Sequence, residues 1–142
     1  MTDKELLELA AKAYGIELGL CQDGNSGFWE FEWTGARWTL YVNVHHPTIK
    51  TPKHCGKEFN VAYTNDGWCW EWSPLTDDGD ALRLAVKCRI RFEIHHSEKF
   101  VAAFHNDLFG RIEEEVINSD IYAATRRAIV RTAAEIAKAK GD

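Results

Sequence analysis

Asp77, Asp78 and Asp80, with Asp66 a short way before them, come nearest in this chain to a catalytic constellation. Carboxylates aimed at one point hold Mg²⁺ in enzymes that cut or transfer phosphates. Such sites draw their ligands from separate elements, whereas three acids inside one helical turn point in different directions. All three suit the start of a helix, where carboxylates cap free N–H groups and face the positive end of the dipole. His45, His46, His54 and Cys55 carry zinc-compatible atoms within one short segment. Neighbours in an extended chain face opposite ways, and their spacing fits no familiar zinc signature, so they read as exposed loop residues. His95, His96 and His105 read as polar strand ends. With no phosphate-cradling glycine loop and no dinucleotide fingerprint, the expectation is no catalytic residue, no metal and no cofactor.

Binding chemistry is better represented. Six tryptophans fall between Trp29 and Trp72, a heavy load of side chains whose indole N–H groups need partners. They fit a compact core, a dimer interface, or a platform on which a base or other planar ligand stacks. At 100° per residue, Arg127, Arg131 and Lys138 form a narrow cationic stripe with Ala134 between them, and Arg126 lies elsewhere. Guanidinium forks there would hold a phosphate or carboxylate. The plainer alternative is a solvated flank, or ion pairs to Asp77, Asp78 and Asp80. The residues expected to bind a planar anion are Trp70 and Trp72 by stacking and Arg127 and Arg131 by charge.

The elements that must position these residues follow from periodicity. Residues 3–14 predict a helix with Leu6, Leu7, Leu9, Ala10, Ala13 and Tyr14 on one face, stopped by Gly15. Trp29, Phe31 and Trp33 alternate with acids, and Trp38, Leu40, Val42 and Val44 return after a turn at Thr34-Gly-Ala. A second hairpin runs through Phe59, Val61 and Tyr63, turns at Asn65-Asp-Gly67, and returns through Trp68, Trp70 and Trp72. Pro74 ends it, and Thr76 is placed to cap a helix whose apolar face is Ala81, Leu84, Ala85 and Cys88. Ile90, Phe92 and Ile94 give a fifth strand and residues 97–105 a sixth, whereas 106–118 read as either a short helix or a docked loop. Ser119 or Asp120 caps a last helix reaching about Lys138, with Ile121, Thr125, Ala128, Ile129, Thr132 and Ile136 inward. The expected fold is α+β, a single domain over residues 1–142. It would hold an antiparallel sheet of four to six strands with helices mainly on one face.

At 142 residues and 45% hydrophobic, the chain is long enough for one sizeable core. No apolar run approaches the roughly 18 residues of a membrane span, and the acidic N-terminus lacks a signal-peptide pattern. Cys21, Cys55, Cys69 and Cys88 show no CxxC spacing and read as reduced thiols of a cytoplasmic protein. A net charge of −5 argues against wrapping nucleic acid. The surplus of large aromatics predicts self-association, most simply a dimer.

Trp70-Glu-Trp-Ser-Pro-Leu-Thr-Asp-Asp-Gly-Asp-Ala-Leu-Arg-Leu-Ala-Val-Lys-Cys-Arg-Ile90 resembles a block found in a family of small bacteriophage and prophage accessory proteins. Asn is usual there where Ser73 stands, and Leu where Cys88 stands. Tyr122-Ala-Ala-Thr-Arg-Arg-Ala-Ile-Val-Arg131 resembles the C-terminal helix of the same family. Together the two stretches cover about a quarter of the chain. The resemblance implies a setting, the cytoplasm of a bacterial host, and not a reaction. In that setting the chain reads as a non-catalytic accessory protein, an anti-defence factor that binds a host defence component or sequesters a nucleotide-like signal. The alternative is a small metal-dependent enzyme acting on nucleotides or nucleic acid through Asp77, Asp78 and the histidines.

Overall fold

The computed structural model describes residues 1–15, 19–20, 28–33, 38–43, 61–64, 67–70 and 72–140. Within the span expected to form one domain, these gather into two compact units, Met1–Tyr14 with Pro74–Asp142 and the intervening Gly15–Ser73. The structure is α+β, as expected, with the strands shared between two antiparallel sheets.

The first unit holds three helices, α1 (Asp3–Tyr14), α2 (Asp78–Cys88) and α3 (Ile121–Ala139). It also holds strands β6 (Arg91–His95), β7 (Phe100–Phe104) and β8 (Ile112–Glu115), in the order β6-β7-β8. Each helix start has a local cause. Thr2 and Glu5 form a reciprocal capping box, Glu5 N–H donating to Thr2 Oγ1 at 3.2 Å and Thr2 N–H to Glu5 Oε2 at 2.7 Å. The second bond holds the Glu5 carboxyl below its ordinary pKa. Asp77, not Thr76, caps α2: its carboxylate accepts the Asp80 N–H at 2.8 Å, because the first helical residue is Asp78. Asp120 caps α3 through the Ala123 N–H at 2.9 Å.

Helix α2 ends with Arg89 in the left-handed region at φ 57°. Arg89 N–H donates to Val86 O and Ile90 N–H to Ala85 O, the paired bonds of a Schellman stop. A Cβ is disfavoured at that φ, so Arg89→Gly is expected to raise stability by about 0.5–1 kcal/mol. A lower melting temperature in the variant would contradict this reading.

Helix α3 carries the core. It packs on β6, β7 and β8 and also against α1 and α2. Its buried residues include Ala124, Val130, Ala133, Ala134 and Ala137 besides the expected Ala128, Ile129, Thr132 and Ile136. Alanines let neighbours approach closely, so burial extends over several sides of the helix. One side left partly open bears Arg127, Arg131 and Lys138, and another bears the exposed Tyr122. The segment 106–118 supplies β8, which pairs with β7 from Phe100↔Glu115 to Ala103↔Ile112. The notion of a short helix there is therefore corrected. β8 alternates half-buried and exposed side chains, so Ile112 and Glu114 turn inward and Glu113 and Glu115 outward.

The second unit is a five-stranded antiparallel sheet of β1 (Gly19–Leu20), β2 (Phe28–Trp33), β3 (Trp38–Asn43), β4 (Val61–Thr64) and β5 (Gly67–Trp70), ordered β1-β2-β3-β5-β4. Both expected hairpins form, closed at Trp33↔Trp38 and Thr64↔Gly67. Crossover pairing of β3 with β5, as in Leu40↔Trp70, joins them into one sheet. Phe31 and Trp72 are buried, their ring centroids 6.0 Å apart. Ser73 Oγ donates to Trp38 O at 2.8 Å.

Candidate functional site

The acidic block at the head of α2 resolves into separate structural duties. Asp77 caps the helix. Asp80 is 4% exposed and pairs with Arg83 at 2.7 Å, which raises the Arg83 pKa chiefly through that hydrogen bond. A Cβ on Gly79 would lie 3.2 Å from Asp77 Oδ2 and 3.3 Å from Arg83 Nη2, so the glycine leaves room for this cluster. Asp78 turns outward and pairs with Arg126 Nη1 at 2.7 Å. Among the described residues, no group of three or more His, Cys, Asp or Glu side chains gathers as metal ligands would. Asp66, His45, His46, His54 and Cys55 lie outside the described residues. Asp77→Ala is expected to cost about 0.5–2 kcal/mol in urea unfolding, as a lost cap does. An unchanged midpoint would show that the cap is idle.

The cationic stripe is engaged by carboxylates. Arg131 Nη1 pairs with Glu114 Oε2 at 2.6 Å and donates to Glu113 O at 2.8 Å. Arg127 reaches Asp3 at 3.0 Å and the other oxygen of Glu114 at 3.5 Å, and Lys138 pairs with Glu135 at 3.1 Å. The ion pair anticipated between the stripe and the acids of α2 is instead made by Arg126. That residue binds Asp78 and also donates from Nε to Leu75 O at 2.9 Å. Arg126 thus ties Leu75 and Asp78, before and at the start of α2, to α3. Of the four residues expected to bind ligand, Arg127 and Arg131 are brought together on Glu114. Trp70 ends β5, and Trp72 is 1% exposed with its ring against Phe31.

A feature that periodicity did not reveal lies in the first unit. Helix α2, the N-terminal half of α3 and strand β6 enclose an open groove of about 420 Å³. Ala81 and Leu82, Phe92 and Ile94, and Tyr122 and Ile129 make its apolar walls. Asp78, Arg126 and His96 supply polarity at its margins. Leu82, Phe92, Ile94 and Tyr122 are large apolar or aromatic side chains left exposed. Their signal in the sequence was faint: Leu82 and Val86 are apolar residues one turn apart on the side of α2 opposite its core face. An apolar concavity with a few polar groups is the form that ligand and partner sites take.

Burial pushes the Cys88 thiol above its ordinary pKa, against the opposing pull of Lys140 and Lys87, and burial likewise raises Tyr14. Each group ionises at higher pH folded than unfolded, so its contribution is full below the unfolded value and is lost as pH rises through the folded one. The urea midpoint is expected to fall above about pH 9, and less steeply in Cys88→Ala. A midpoint that stays level into alkaline solution would contradict it.

Comparison of the chain with family models, with curated proteins and with solved structures finds no match. No helix among the described residues is long and apolar enough to cross a membrane.

Proposed function

We propose that this is a non-catalytic bacteriophage accessory protein that acts in the host cytoplasm by occupying a host defence protein, with the α2–α3–β6 groove as its contact surface. The observation that carries the reading is the groove, where four large exposed side chains converge on about 420 Å³ of apolar space. Exposed apolar surface gathered in one concavity is costly in water and is the usual mark of a surface that meets a partner. Its chemistry favours apolar protein side chains over a nucleotide. The walls are apolar, and the one guanidinium at the margin, Arg126, already serves Asp78 and Leu75. The resemblance of residues 70–90 and 122–131 to phage accessory proteins supports the setting.

The test is affinity capture from host cells with the wild type, with the groove variants Leu82→Glu and Tyr122→Ser, and with Phe109→Ser. Phe109 is fully exposed and does not line the groove. A host protein retained by wild type and Phe109→Ser but lost in both groove variants is the expected result. Retention by all four proteins would place the contact elsewhere. A nucleotide or stoichiometric metal in native mass spectrometry of the purified protein would favour sequestration or the enzymatic alternative.

A further inference from the structure

Strand β6 is an edge strand, and among the described residues nothing pairs with its outer side. Unpaired edges invite strand addition, and proteins commonly guard them with charge. The two edges of this sheet differ in that respect. β8 carries Glu113, Glu114 and Glu115 in succession, a run of like charge that repels a second strand of its kind. β6 and the residue before it read Ile90-Arg-Phe-Glu-Ile94, which is self-complementary when reversed about Phe92.

We infer that β6 pairs antiparallel with β6 of a second copy of this chain, on a two-fold axis at Phe92. In that register Arg91 of each copy faces Glu93 of the other, Phe92 faces Phe92, and Ile94 faces Ile90. Two opposite-charge pairs and one aromatic pair then form across the axis, the combinations that stabilise antiparallel neighbours. A register centred on Glu93 sets that carboxylate against itself, and one centred on Arg91 does the same with guanidinium. A register centred on Ile94 leaves Arg91 unopposed. Arg91 and Glu93 are both exposed, on the sheet face where Arg91 also lies 5.2 Å from the Phe104 ring centre. The joint sheet would run β8-β7-β6-β6-β7-β8.

A two-fold axis normal to the sheet keeps both copies' helices on one side. The two grooves then open toward each other, with Phe92 of both copies as a shared floor. This self-pairing does not depend on what fills the groove, so its test needs only the purified chain.

Sedimentation equilibrium over a concentration series should give twice the single-chain mass of 16.2 kDa. Arg91→Glu alone and Glu93→Arg alone each turn two attractions into two repulsions, and each should weaken dimerisation about 10-fold or more. The double variant Arg91→Glu/Glu93→Arg restores opposite charges across the axis and should regain most of the wild-type affinity. Local damage to the strand would instead make the double variant worse than either single one. Circular dichroism checks that each variant is folded. If a reversal unfolds the chain, Glu93→Gln keeps the shape, removes one charge from each pair, and should weaken the dimer less severely. A single-chain mass throughout the series, a dimer indifferent to these variants, or failure of the double variant to recover would each overturn the pairing.

Discussion

Leu84→Ala is expected to lower the unfolding free energy by about 2–5 kcal/mol, the range for truncating a fully enclosed leucine. Leu84 is 0% exposed on the core face of α2, in the unit where α2 packs against both α3 and α1. Removing its branched end forfeits the transfer of those carbons from water and leaves a void that three helices cannot all close. Domains of this size are held by only about 5–15 kcal/mol, so the loss could approach the whole margin at body temperature. Leu82→Ala, two residues away on the exposed side of the same helix, is expected to cost under about 0.5 kcal/mol. Urea unfolding of the pair measures the contrast. Equal losses would mean that Leu82 is structural and would remove one wall of the proposed groove from the functional surface.

Residues that act through their immediate neighbours were the most legible. The helix at 3–14 forms over that range, both tryptophan hairpins form among the described residues, and the strand expected at 90–95 is β6 less its first residue. In each case a period of 3.6 or 2 is carried by strongly apolar side chains. The cap at Asp77 rather than Thr76 differs by one residue, because two adjacent side chains were both able to accept an amide and only the backbone path chooses between them.

What was hidden depends on distant partners. Ile112-Glu-Glu-Glu115 has poor strand propensity, yet it pairs with β7, and its inward Glu114 is bound by Arg127 and Arg131. Alanine carries almost no hydrophobic signal, so the burial of α3 on several sides could not be read from its wheel. The groove draws on residues 78–82, 92–96 and 121–129, three segments that look unrelated along the chain. Arg126 and Arg127 are adjacent, and only the placement of α2 and β8 decides that the first serves Asp78 and the second Glu114.

Trp72→Ala is expected to cost about 3–5 kcal/mol, as large as the loss from any single truncation in the chain. Trp72 is 1% exposed, and its ring lies 6.0 Å from that of Phe31 at 45°. The sequence offered the same tryptophan as a stacking surface for a planar ligand. A ring enclosed to this degree can stack on a ligand only by giving up the packing that holds it. Trp33 offers the comparison, since it is 56% exposed and meets Trp38 edge-on at 5.7 Å. Its removal should cost about 0.5–1.5 kcal/mol, the worth of an aromatic pair beyond its burial. Thermal and urea unfolding of the two variants, with nucleotide binding followed by calorimetry, separate the roles. A large loss of stability in Trp72→Ala, with no nucleotide bound by wild type more tightly than millimolar, fits a core residue. A Trp72→Ala chain as stable as wild type that has lost a micromolar ligand would restore the stacking role and shift the binding surface away from the α2–α3–β6 groove.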